Sequence, residues 1–169
     1  VMYDSGYPLQ TKYDMLNFIA LRRDTCVFLS TFESGAKRLT PSEETSLAIA
    51  LRTRAENFPE SDYFGTAVCR GFVFGRSGIL RNSQFTERLP LTLEIAVKAA
   101  KFMGAGDGKW KVNALFDKAP NNILTMFDDV SIQFTPAQQR NKDWDVGLNY
   151  PLSFSRNALY FPALKSVYD

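Results

Sequence analysis

Apolar positions along this chain switch between two periods, and the switching predicts most of its elements. From Thr11 to Arg23 they recur at helical spacing, with Met15, Leu16, Ile19 and Ala20 on one broad stripe. The next run, Thr25 to Phe32, is short, continuous and rich in β-formers, as in a buried strand. A polar loop, Glu33 to Leu39, leads to the clearest helix start in the chain. Thr40-Pro41-Ser42-Glu43 supplies an N-cap threonine, a proline at the first helical position and a glutamate three residues after the cap. Leu47, Leu51, Ala55 and Phe58 then repeat at helical spacing, leaving Glu43, Glu44, Arg52 and Glu56 for the wet face.

Thr66 to Phe74 predicts a second buried strand, weakened by Gly71. Gly75 to Glu87 is polar and reads as a long loop. Pro90 to Met103 predicts a third helix, with Leu93, Ala96, Val97 and Ala100 on one face and Gly104 as its stop. Trp110 to Phe116 reads as a strand, and Val130 to Phe134 alternates strictly, as a half-buried strand does. Strands separated by helices of about 14 residues predict an α/β fold: a layered sandwich whose parallel or mixed sheet is flanked by helices. That rhythm breaks after Thr135. Residues 1–169 therefore read as one α/β core region, with 135–169 as a β-rich, aromatic-dense closing segment. Tyr3 to Gly6 reads as a turn entered from upstream, and Tyr168-Asp169 as a strand running on. The expectation is a fragment of a larger protein.

Composition narrows the chemistry. With 169 residues, 45% of them hydrophobic and 14% aromatic, the chain can bury a sizeable core. Its net charge is +2, and the longest basic runs are Arg22-Arg23 and Lys37-Arg38, so no stripe is laid out for a nucleic-acid backbone. No apolar run is long enough to insert in a membrane. Cys26 and Cys69 fall in strand-like runs and read as buried thiols of a reducing compartment. The chain contains no histidine, which removes Ser-His-Asp and Cys-His catalysis and nearly every zinc constellation. No cofactor is expected.

The remaining motifs have structural explanations. Gly104-Ala-Gly-Asp-Gly-Lys109 is one residue short of a phosphate loop, lacks the following Ser or Thr, and comes after a helix. Asp143-Trp-Asp145-Val-Gly147-Leu-Asn149 has its glycine one place too early for a calcium loop, and Phe154 stands where a bidentate glutamate belongs. These carboxylates read as exposed turn residues. Asp128-Asp129 and Glu43-Glu44 are adjacent acidic pairs, the second favoured by its place at a helix N-terminus. Ser34-Gly-Ala-Lys37 has a serine–lysine acylation spacing with none of the companion motifs. Beyond Lys109, Lys111, Lys142 and Arg156, no basic residues interleave with Trp110, Trp144, Tyr150, Phe154, Tyr160, Phe161 and Tyr168, so packing is their expected use.

Several of these runs carry a resemblance. Met2-Tyr-Asp-Ser-Gly6 before a helix, Gly106-Asp-Gly-Lys-Trp-Lys111 leading to Phe116-Asp117, Pro120-Asn-Asn122, Trp144 to Tyr150, and Arg156 to Tyr168, together with the helices between them, cover most of the chain as a layout. In this layout it resembles the contractile tail sheath proteins of myovirus-type bacteriophages, in the version found in large phages. The resemblance implies a structural subunit of the virion tail, assembled in the host cytoplasm. Such subunits polymerise around the tail tube, contact the baseplate and contract to drive the tube through the host envelope. It implies no catalytic residue and no enzyme activity.

Two alternatives accompany it: an α/β enzyme or ligand-binding domain working at the strand-end loops near Glu33 and Gly75, or the corresponding subunit of a bacterial contractile injection system. Within the Gly75 to Glu87 loop, Arg76 and Arg81 are the candidate interface residues. Sheath-like lattices depend on strands donated by terminal arms. The chain offers little sequence before Tyr3 for such an arm, so residues 1–169 are expected to stay monomeric. Light scattering at high concentration checks this, and spontaneous tubes from these residues would overturn it.

Overall fold

A computed structural model describes residues 1–22, 24–56, 70–105, 123–124, 126–128, 137–155, 158–161 and 165–166. In chain order the first elements are β1 (Met2–Tyr3), α1 (Leu9–Ala20), β2 (Val27–Ser30), α2 (Pro41–Glu56) and β3 (Gly71–Phe74). Next come β4 (Ser77–Leu80), β5 (Arg88–Pro90), α3 (Thr92–Ala105), β6 (Ile123–Leu124) and β7 (Phe127–Asp128). The last are α4 (Ala137–Asp145), β8 (Leu148–Asn149), β9 (Leu152–Ser155) and β10 (Ala158–Tyr160).

Strand β2 explains the layering. Its four residues are all buried, and successive side chains point to opposite faces. Val27 and Leu29 meet Met15, Leu16 and Ile19 of α1, Ala48 and Leu51 of α2, and Val73 and Leu148 from neighbouring strands. Phe28 points the other way, into a second cluster with Phe74, Leu91, Phe127, Phe161 and the α3 residues Ile95 and Ala99. Phe28 and Phe74 lie 5.3 Å apart between ring centres, and Phe161 meets Phe74 edge-on at 5.2 Å. A sheet covered on both faces must be apolar on both, which is why the β2 sequence reads as a continuous run.

The fold is thus α/β, built on a parallel sheet in the order β1-β2-β3-β8. Val27 to Ser30 pair in register with Gly71 to Phe74, Met2 pairs with Val27, and Val73 with Leu148. Because the order follows the sequence from β1 to β3, both crossovers step the same way and place α1 and α2 together on one face. Among the described residues, antiparallel pairing is confined to two three-stranded sheets, β5-β4-β7 and β6-β10-β9.

Helix α1 starts two residues before the expected Thr11, behind Pro8, and stops at Ala20, where Leu21 emerges into solvent. Helix α2 has the expected capping box: the Thr40 amide donates to Glu43 at 2.7 Å and the Glu43 amide to Thr40 Oγ1 at 3.3 Å. Its second glutamate corrects the sequence reading, since Glu44 is buried. Another correction lies between Gly75 and Glu87. There β4 forms a hairpin with β5, and only the tip, 82–87, is fully exposed. Gly104 does not stop α3, which continues through Ala105.

Helix α4 had no sequence signal, because Ala-Gln-Gln-Arg-Asn-Lys-Asp-Trp-Asp carries no apolar stripe. Strand β8, which follows it, joins the central sheet. Cys26 is a free, half-buried thiol, and burial raises its pKa. Residues Thr66 to Cys69, Trp110 to Phe116 and Val130 to Phe134 lie outside the described residues.

One carboxylate ties the N-terminal half together. Asp4 is fully buried at the end of β1. Its Oδ1 accepts the Gly6 and Tyr7 amides at 2.8 Å each, and its Oδ2 accepts the Ser30 amide at 2.8 Å and an ion pair from Lys12. The Asp4 carbonyl accepts from Thr92 Oγ1 at 2.6 Å, reaching the start of α3. Gly6 is needed in this turn. Its φ is +97°, and a Cβ there would meet the Phe32 ring at 3.0 Å.

Asp4→Asn would put an amide NH₂ against the Lys12 and Ser30 donors and leave the buried Lys12 charge unmatched. Removing one partner of a buried pair costs about 3–5 kcal/mol, a large share of the roughly 5–15 kcal/mol of a typical domain. Urea unfolding should register that loss, and adding Lys12→Met to Asp4→Asn should recover part of it. A loss under about 1 kcal/mol for Asp4→Asn would refute this role for the carboxylate.

Candidate functional site

Parallel strands deliver their following loops to one edge of the sheet, and the described residues place a cleft there. The segment after β2, Thr31 to Leu39, and the Gly75-Arg76-Ser77 corner after β3 face each other across it. Leu9 and Lys12 from the start of α1, and Glu43, Glu44 and Leu47 from the first turns of α2, complete its lining. The cavity measures about 250 Å³. Leu9, Phe32, Ala36, Leu39 and Leu47 make its walls largely apolar, while Lys37 and Arg38 stand exposed on the loop segment of its rim.

Two buried ion pairs underlie this cleft. In the first, Lys12 donates to Asp4 and, at 3.0 Å, to the Phe32 carbonyl. Burial pushes the Lys12 ammonium below its ordinary pKa, further than the Asp4 carboxylate holds it up. In the second, Glu44 Oε1 accepts Thr31 Oγ1 at 2.9 Å and the Arg76 amide at 2.7 Å, while Oε2 faces the Arg76 guanidinium. Both side chains are almost inaccessible to water. Burial lowers the Arg76 pKa, and the charge of Asp143 opposes that shift.

Arg76 also holds an unusual backbone shape. Its φ is +73°, in the left-handed region that L side chains avoid. The Glu44 bond to its amide and the ion pair to its side chain both act on this one residue. Gly75 precedes it, and its amide donates to Asn149 of β8 at 2.7 Å. The corner that turns β3 into β4 is therefore clamped from α2 on one side and from β8 on the other.

Asp143 of α4 extends the polar layer. It is fully buried, and its Oδ1 accepts from Thr45 Oγ1 and from Gln139 Nε2 at 3.1 Å. Its Oδ2 is buried without a hydrogen-bond partner among the described residues. This corrects the reading of the 143–149 segment as exposed turn carboxylates: Asp145 is exposed, but Asp143 closes the interface between α2 and α4. Asn149 is also buried, donating to the Val73 and Lys165 carbonyls at 3.0 and 2.7 Å. These groups do not converge on a calcium position. Among the described residues no cluster of three His, Cys, Asp or Glu side chains could hold a metal.

The two arginines read as interface candidates are both engaged within the chain. Arg76 points into the fold toward Glu44. Arg81 is half-buried and links β4 to β7, its amide donating to Met126 at 2.9 Å and its Nη2 to the Phe127 carbonyl at 3.4 Å. Ser34 and Lys37 lie exposed on the loop that borders the cleft. Of the Gly104 to Lys109 segment, only Gly104 and Ala105 are described, and both belong to α3.

Phe161 packs in the core, as expected of the aromatics, whereas Trp144 is half-exposed beneath Lys165, whose Nζ sits 5.1 Å from the ring centre. The residues the sequence reading missed are Lys12, Thr31, Glu44 and Asp143. Lys12 and Glu44 did carry a signal, since both continue the apolar stripe of their helix.

Fold and site together define an α/β protein with a parallel sheet and a cleft at its strand ends. The chain matches no protein-family model and no curated protein sequence.

The clamp on Arg76 sets two magnitudes against each other. Left-handed backbone in a non-glycine residue costs about 1–3 kcal/mol, whereas breaking a buried ion pair costs about 3–5 kcal/mol. Arg76→Gly removes the strain and loses the pair, so it should destabilise by roughly 2 kcal/mol net. Glu44→Gln added to it should restore part of that, because no buried charge remains unmatched. If Arg76→Gly unfolds in urea at or above the wild-type midpoint, strain outweighs the pair.

Proposed function

We propose that this chain is the core region of a contractile phage tail sheath subunit. It would polymerise around a tail tube, attach to a baseplate and work by motion between subunits, without catalysis. The sequence resemblance is the first support. The observation that carries the reading further is the free side of β1 at the edge of the central sheet. Met2 and Asp4 donate to Cys26 and Phe28 at 2.9 Å each, so by alternation the Tyr3 amide and carbonyl face outward. Among the described residues no strand pairs with that outer side. A strand donated by a neighbouring subunit could extend the sheet there through main-chain hydrogen bonds.

The buried ion pairs suit the same role. A lattice that changes shape by rigid-body rotation of subunits needs each subunit to stay intact while interfaces repack. Asp4, Glu44 and Asp143 lock α1, α2, α4 and the sheet to one another, so deforming the core would unmatch a buried charge.

The alternative of a ligand-binding domain has one observation in its favour. The cleft lies between the Glu33 and Gly75 loops. The two readings are compatible, since the cleft and the free sheet edge belong to different parts of the fold.

Electron microscopy of the full-length protein tests the sheath reading. Rings or tubes are expected, and they should disappear when Tyr3 is replaced by proline, which removes the outward amide. A full-length protein that stays monodisperse at high concentration would overturn the proposal.

A further inference from the structure

The Lys12 ammonium carries three N–H donors and is 1% exposed. Asp4 takes one and the Phe32 carbonyl another. The third has no acceptor among the described residues, although Lys12 lines the cleft. A buried donor without an acceptor is costly, so an acceptor reaching the floor of the cleft has a driving force waiting for it.

We propose that the cleft binds a small organic carboxylate with a compact apolar body; this rests on the strand-end ligand-binding reading given above. The carboxylate accepts the remaining Lys12 donor. The body lies on Phe32, Leu39 and Leu47. A charged acceptor is favoured over a neutral one because a charge-assisted bond to an ammonium is about twice as strong. The rim is mixed in charge: Lys37 and Arg38 stand exposed on it and Glu33 and Glu43 line it as well, so the preference for an anion rests on Lys12. Size limits the ligand: about 250 Å³ lies just under the range of about 300–1,000 Å³ typical of drug-sized ligands. One ring or a branched chain fits, and a nucleotide does not.

The test is a calorimetric and amide-NMR titration of this 169-residue chain with phenylacetate, phenylacetamide and phenethylamine. Phenylacetate should bind with a Kd on the order of 1 mM, the value a ligand of this size achieves at modest efficiency. It should bind about fivefold or more tightly than the amide, and the amine should not bind. The shifted amides should be those of Phe32, Ala36, Leu39 and Leu47. Ala36 is exposed on the loop, so Ala36→Trp should fill the cleft and abolish binding without moving the melting temperature. Lys37→Glu should weaken phenylacetate several-fold and leave the amide unaffected. Equal binding of acid and amide at these residues would overturn the carboxylate assignment and leave the cleft as a ligand site. Absence of binding by all three probes, or binding that survives Ala36→Trp, would overturn the cleft reading itself.

Discussion

A carboxylate with no access to water must find every one of its partners inside the protein, and Asp4 imposes that requirement on the N-terminal half of this fold. Four groups answer it: two amides of the turn, the Ser30 amide at the end of β2 and the Lys12 ammonium, while the Asp4 carbonyl takes the Thr92 hydroxyl. The turn amides are local, but the other partners come from α1, β2 and α3, so this one residue sets the position of α1, the exit of β2 and the start of α3. Hydrophobic contact alone would let these elements slide. A buried pair contributes little net stability over an apolar replacement, but misplacing one partner is expensive. Its effect is to make one arrangement much better than its neighbours.

The same logic repeats across α2. Glu44 accepts from Thr31 and Arg76, and the next residue, Thr45, donates to Asp143 of α4. Consecutive residues of one helix thus hold the ends of β2 and β3 on one side and a later helix on the other. The apolar walls of the cleft stand on this polar frame. Its floor is rigid because Lys12 and Arg76 each have their charge held by a carboxylate of the fold.

How much of this could be read from the sequence depended on how local the cause was. Helix α2 was legible because its capping box and apolar repeat lie within one segment. The burial of Lys12 and Glu44 was legible in principle. Lys12 precedes Leu16 by four positions and Glu44 precedes Leu47 by three, so both sit on the stripe that packs inward. Their partners were not legible, since the Glu44 to Arg76 contact spans 32 residues. Strand β4 was missed because Ser-Gly-Ile-Leu has little strand signal of its own and is held by β5 and β7 on either side. Helix α4 has no stripe, and its key inward residue is an aspartate. Arg76 and Arg81 look solvent-facing by composition, and only the fold shows where their guanidinium groups point. The strand-end cleft was partly legible, because the order of strands and helices already indicated a parallel sheet.

The Thr45 to Asp143 contact spans 98 positions, and the Asp4 to Thr92 contact spans 88. During synthesis the chain must therefore extend far beyond α2 before that helix acquires its last partner, and β3 waits equally long for β8. Until then β3 presents a bare edge of Phe72, Val73 and Phe74 to solvent. Non-local closure of this kind slows folding, and an apolar strand edge left open meanwhile is where nascent chains pair wrongly. The risk this fold carries is concentrated in that interval, between the emergence of its third strand and the arrival of its eighth.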